Sequence, residues 1–271
     1  MNYGFKIKLF LLIILNVYIS NVFYANDFKR VDNLYHTGKY QEGIKILEKE
    51  YDISNPDPEI IWRITRFYFE FAYALPNKYK QEKIKYYTKG MEFSKQFLDI
   101  QRGTNLDRAQ LIFWYTACYS YRSELIGIRE SLDILPVLFN LAGKAIELDP
   151  TFAAPYLLLG RIDHTVPSFL GGDKFRMGKN LSMAIKYNPN DMSVLVESGE
   201  LFLKRDWDSD KKKKMAKKSG KDDGTPQYLS DREYSKILLN NSMKLFESLD
   251  NPSTKERNKY HDALDLLKKI K

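Results

Sequence analysis

What most limits the fold of this chain is a set of small residues recurring in step with helix-stopping prolines. Between Ala153 and Pro189 the order runs Tyr156, Leu159-Gly160, then Leu181, Ala184 and Pro189. The stretch before it closes alike, with Ala142, Ala145 and Asp149-Pro150, and the stretch after it opens with Leu195 and Ser198-Gly199. Small side chains let a partner helix approach closely, and a proline cannot continue a helix. Self-similarity of this kind marks stacked helical units rather than a single sheet-based core. Composition agrees: Val occurs 7 times and Thr 9 times in 271 residues, against abundant Leu, Lys and Glu.

The order matches the tetratricopeptide (TPR) pattern, a helix-turn-helix of about 34 residues. It predicts an all-α fold of TPR-like helical hairpins, stacked into a compact right-handed superhelix with non-standard insertions. An earlier unit reads as helices over 27–36 and 41–51, with a turn at Gly38. A long aromatic helix follows over 59–75, with Trp62, Phe69 and Ala72 as core candidates, then helices over 80–97, 107–125 and 135–148. Inserted residues at 74–79, 122–130 and 166–172 lengthen the units. The repeat domain is expected over 26–203. Residues 204–228, with lysines crowded at 211–221 and Gly220, Gly224 and Pro226, lack apolar periodicity and read as a solvated surface loop. Anionic lipid or an acidic protein face is the alternative for that lysine run. Two helices over 229–271 are expected to cap the stack, each opened by a capping box, Ser230 with Glu233 and Ser253 with Glu256.

Residues 1–25 read as a secretory signal, with Lys6 and Lys8, an apolar run from Leu9 to Ile19 broken at Asn16, and a small exit residue at Ala25. Cleavage near Ala25 and export are expected, with an uncleaved anchor as the alternative. No cysteine lies near this segment, which excludes a lipoprotein anchor.

Charge and cysteine counts narrow the chemistry. A net charge of +8 is modest for a nucleic-acid binder. Cys118 is the only cysteine, and His36, His164 and His261 lie far apart. An intramolecular disulfide and the usual cysteine-rich zinc sites are thereby excluded, and no cofactor or metal is expected. Gly171-Gly172-Asp173 with Gly178-Lys179 invites a phosphate-loop reading. The spacing is one residue too long, and Asn180 stands where Ser or Thr would bind magnesium. Asp173 is expected instead to cap the following helix. Asp163, His164 and Asp173 are the right types for a hydrolase or metal-dependent enzyme, which is the competing reading to a non-catalytic scaffold. Phe67, Tyr68, Phe69, Phe71 and Tyr73 form a stripe too wide for one buried face, so it is either sandwiched between helices or lines a groove.

"EIIWRITRFYFEFA", "YYTKGMEFSKQFLDI" and "FWYTACYSYRSELIGIRESLDILPVL" resemble a helical core shared by two related groups. One is the T-component family associated with bacterial TRAP-type substrate transporters. The other is the eukaryotic regulator-of-microtubule-dynamics family. "AIELDPTFAAPYLLLGRIDHTVPSFLGGDKFRMGKNLSMAIKYNP" is similar to the bacterial group, through its aliphatic-Gly-Arg helix and its Gly-Gly-Asp turn. The resemblance spans about residues 55–205, with Trp62-Arg63 and Gly171-Gly172-Asp173 its most distinctive parts. It implies a docking module without chemistry, a periplasmic solute-binding protein as partner, and an oligomeric scaffold. The partner or ligand face is then expected at Trp62, Arg63, Arg66, Tyr68, Arg161, Gly171, Gly172 and Asp173, with the 167–173 turn at its rim.

Overall fold

A computed structural model describes residues 28–220 and 222–270. The expected signal segment lies outside the described residues. Thirteen α-helices and no strand occur among the described residues. They are α1 (28–36), α2 (Tyr40–Glu50), α3 (Pro58–Ala74), α4 (Lys80–Lys95), α5 (Asn105–Ile126), α6 (Ile128–Asp133) and α7 (Leu135–Leu148). Then come α8 (Ala153–Thr165), α9 (Lys174–Tyr187), α10 (Met192–Arg205), α11 (Ser209–Ser219), α12 (Asp231–Glu247) and α13 (Thr254–Lys269). The fold is an all-α helical repeat.

Hairpins form from α1 and α2, α3 and α4, α5 and α7, α8 and α9, and α10 and α12. Each first helix touches the next where hairpins adjoin, α3 on α5 and α8 on α10, and each second helix reaches the following unit, α2 on α3, α4 on α5, α7 on α8 and α9 on α10. The short α6 and the lysine-rich α11 are inserted within hairpins, and α13 packs on α10 and α12.

Local sequence sets the helix ends. Asp57 accepts the Glu59 N–H ahead of Pro58 at the start of α3, and Thr104 with Asp107 forms a capping box at α5. Ser230 with Glu233 and Ser253 with Glu256 form the two expected boxes. Each such cap contributes about 0.5–2 kcal/mol. Small residues do what the repeat pattern requires of them. A Cβ on Gly160 would stand 2.6 Å from Leu181, and one on Gly199 would stand 3.2 Å from Leu239.

The aromatic stripe of α3 is sandwiched between helices. Phe67 meets Tyr35 and Tyr40 edge-on, Tyr68 stacks with Tyr86 and Phe93, and Phe69 touches Tyr87, Trp114 and Tyr121. Tyr73 alone of the five is exposed, at 47%. No helix among the described residues is long and apolar enough to cross a membrane.

One expectation is corrected. Residues 204–228 are not a solvated loop: Ser209–Ser219 form α11, and Arg205, Trp207, Lys212, Asp223 and Thr225 are all buried. The segment lacks apolar periodicity because ion pairs, rather than apolar side chains, tie it down.

Candidate functional site

Most of the hairpins' first helices face a common hollow. Phe69 of α3, Phe113 and Trp114 of α5, and Leu157 and Leu158 of α8 give it an apolar wall, and Phe152, just ahead of α8, adds to it. Arg66, Arg161 and Lys255 bring positive charge, and Glu70, Asp191 and Glu197 bring negative charge, around a cavity of about 270 Å³. Tyr35 of α1 and Lys255 of α13 close it, so the first and last helices of the described chain meet at one opening.

Glu70 organises that closure. It is an acid between Phe69 and Phe71, the only charged residue among those α3 buries, and it is 5% exposed. Its Oε1 accepts from the Tyr35 hydroxyl at 3.0 Å and from Lys255 Nζ at 3.1 Å. Burial raises the Tyr35 pKa well above the usual phenol range, and Glu70 adds to this. Burial, with Glu70 behind it, also pushes Tyr40 up to about 12. Burial opposes the charge on Lys255, but Glu70 and Tyr35 outweigh it and hold the ammonium well above its ordinary range. A buried carboxylate with a paired ammonium satisfies the requirement that a charge taken from water keep a partner.

Arg161 stands at a crossroads, because it borders three cavities. Its guanidinium lies 4.2 Å from the Tyr121 ring centre, donates to the Tyr121 hydroxyl, and pairs with Glu124 at 3.0 Å. Beyond it, His164, Glu200, Lys204, Lys259 and Asp262 line a polar cavity of about 490 Å³ between α8, α10 and α13. Glu197 separates the first two spaces. Burial raises its pKa, but Lys259 at 2.9 Å outweighs that and keeps the carboxyl below its usual range. A third, apolar cavity of about 320 Å³ is lined by Ile128, Leu132, Leu138, Ile162, Val166 and Pro167.

Of the residues that sequence pointed to, Arg66 and Arg161 line the central cavity. Arg66 pairs with Asp32 at 3.0 Å and lies over the Tyr35 ring at 4.0 Å. Trp62 is buried and donates its Nε1–H to Asp107 at 3.2 Å. Arg63 stacks on Trp62 and Phe28, each at 4.2 Å. Tyr68 is buried, with its hydroxyl on Glu48. These three serve the core and its edge rather than the cavity wall.

The Gly171–Asp173 turn is a structural device. Gly171 takes φ +99°, and a Cβ on Gly172 would overlap the Val166 carbonyl. Asp173 accepts the Phe175 and Arg176 N–H groups at 2.8 and 3.1 Å, the cap expected of it. Arg176 grips both oxygens of buried Asp163 at 2.9 Å through Nε and donates to the Gly171 carbonyl at 2.9 Å. His164 faces Lys174, its Nδ1 2.8 Å from Nζ. Burial lowers the His164 pKa to about 4, and Lys174 reinforces the shift. Each of the three is thus engaged: Asp163 with Arg176, Asp173 with the first turn of α9, and His164 with Lys174.

Sequence reasoning missed Tyr35, Glu70 and Lys255 as a unit. A lone acid among aromatics was the available signal for Glu70. Nothing near Lys255 announces a partner 185 residues away.

A family model described as regulator of microtubule dynamics protein 1-3 matches residues 27–168. The chain belongs to this family. The match covers α1 to α8 and the short turn that follows, and so most of the central cavity's wall, while Asp191, Glu197 and Lys255 lie beyond it. No curated protein matches the chain.

Proposed function

We infer that the protein is a non-catalytic interaction scaffold that receives a segment of a partner protein in its central cavity. The observation that carries this reading is the cavity itself. Repeat helices converge on it with an aromatic wall and charges of both signs, while the acid and histidine side chains suited to chemistry are engaged elsewhere. An apolar anchor flanked by charged groups fits such a lining, since a few placed polar groups orient what the apolar wall binds. The exposed Phe169 and Leu170 of the 167–173 turn extend an apolar rim beside the third cavity.

Two partners fit this scheme. The resemblance to the T-component group favours an exported accessory component of a TRAP-type uptake system, docking a solute-binding protein, with the apolar run at 9–19 serving as the export signal. The family's name associates its members with the regulation of microtubule dynamics, and a cytoskeletal partner follows from that alone.

A photo-reactive phenylalanine analogue at Gln110, on the cavity wall, tests the reading. Irradiation in the native host is expected to trap one polypeptide, identified by mass spectrometry, with trapping reduced by Arg161→Glu. Crosslinks confined to this chain would overturn the scaffold reading. Trapping of a solute-binding protein would select the uptake role. A hydrolytic activity lost in His164→Ala at unchanged melting temperature would restore the enzyme reading.

A further inference from the structure

The lysine-rich helix is a built surface with a fixed orientation. Asp208 accepts the Lys211 N–H at 2.7 Å at the start of α11, and Gly220 ends it at φ +69°. Lys212 points inward, with Nζ 3.0 Å from Asp231 and its side chain 0% exposed. Arg205 grips the same carboxylate at 2.6 and 2.8 Å and reaches Asp223 at 2.7 Å. The Trp207 N–H donates to Asp231 at 3.0 Å, and Arg205 also donates to the Lys174 carbonyl of α9 at 3.2 Å. Gly178 has no room for a Cβ because Arg205 and Asp223 fill that space.

This cluster fixes which way α11 is turned. A helix rotates about 100° per residue. With Lys212 inward, Lys211, Lys213, Lys214, Lys217 and Lys218 spread over the opposite face, and all five are exposed. Among the described residues, Lys213 reaches the exposed Asp210 at 3.8 Å, and Lys211 lies over the Trp207 ring at 5.3 Å and in the field of Asp206. The other acids nearby are engaged: Asp208 in the cap, Asp206 with Arg232 at 2.7 Å, and Asp222 with the Gly224 N–H.

We propose that this face docks on an anionic bilayer surface. Its shape favours a broad partner, since none of the three cavities described above is lined by α11. Its chemistry does too. All five cations are lysines, hydrated point charges suited to diffuse attraction, whereas arginine forks suit a defined carboxylate or phosphate. The surface lies outside the residues the family model matches, so it is a property of this chain beyond the family core.

Flotation of the full chain with phosphatidylcholine vesicles, with and without phosphatidylserine, tests the proposal. Binding is expected to rise with phosphatidylserine and fall with added salt. Each lysine contributes roughly fivefold near an anionic surface, so Lys213→Gln, Lys214→Gln and Lys217→Gln together should weaken binding on the order of 100-fold. The melting temperature should hold, and arginine at the same positions should restore binding. The N-terminal apolar run is common to every variant, so their difference reports α11. Equal binding to both vesicle types, or an unaffected triple variant, would overturn the proposal. So would binding to polyglutamate without binding to phosphatidylserine vesicles, which would move the partner to an acidic protein.

Discussion

The region from α1 to α7 and the region from α9 to α13 are held by different means. In the first, aromatic rings interlock: Phe69 alone meets Tyr73, Tyr87, Trp114 and Tyr121 at centroid distances of 5.0 to 6.0 Å. In the second, an aliphatic core around Met177, Leu181, Leu195 and Leu238 is joined by buried charges, Arg205 and Lys212 with Asp223 and Asp231, and Lys259 with Glu197. A ring lost from such a cluster leaves a cavity and forfeits buried apolar area, about 3–5 kcal/mol for a buried Phe→Ala. A closed ion cluster behaves otherwise, since removing one member strands the rest away from water.

That contrast can be broken most directly at Asp231. Asp231→Ala leaves Arg205 and Lys212 buried without their shared partner, and should cost about 3–5 kcal/mol in urea unfolding. A loss below about 1 kcal/mol, the range of an exposed pair, would mean that charge does not hold this region. Gly160→Leu, at the seam of the two regions, should overpack Leu181 and cost about 1–3 kcal/mol in the same measurement, with Gly199→Leu following it. Asp173→Ala removes a cap and should cost about 0.5–2 kcal/mol without altering partner capture.

The pH dependence sharpens the contrast further. Lys255 titrates higher in the folded chain than unfolded, so its contribution is present below about pH 10.4 and is lost as pH rises from there. Tyr35, also raised, acts in the same direction, because the unfolded phenol ionises first. Alkaline melts should therefore fall, less so in Lys255→Met. At acid pH the dependence is expected at His164. Its folded pKa of about 4 lies under the ordinary 6.5, so the unfolded chain takes up a proton first and stability declines as pH drops between those values. His164→Gln should flatten that decline in melts recorded across the window.

The aromatic region was the legible one. Trp62, Phe69 and Ala72 were recognisable as core from helical spacing, and Gly160 and Ala184 as close-approach positions, because packing writes itself into a local period. Lys212 was not legible. It sits within four consecutive lysines, and only its rotation about α11 makes it different from its neighbours. Its partner Asp231 lies in a capping-box motif that reads as an ordinary helix start. Of the candidate site, Arg66 and Arg161 were named through the family resemblance. Lys255 was not, since the acid it neutralises belongs to another hairpin altogether.

The contact between Lys255 and Glu70 also bears on the order of assembly. An open repeat array gains stability unit by unit, and its end units can fray independently. Here a pair separated by 185 positions ties the last helix to the second hairpin. Its docking site exists only after that hairpin has formed, while the entropy of closing so long a loop grows only with the logarithm of its length. The tie from α13 to Glu70 can therefore form only once α3 is in place, in addition to the packing of α13 on α10 and α12. Once formed, that pair links α13 to a hairpin far from it in sequence, which a strictly open array would not do.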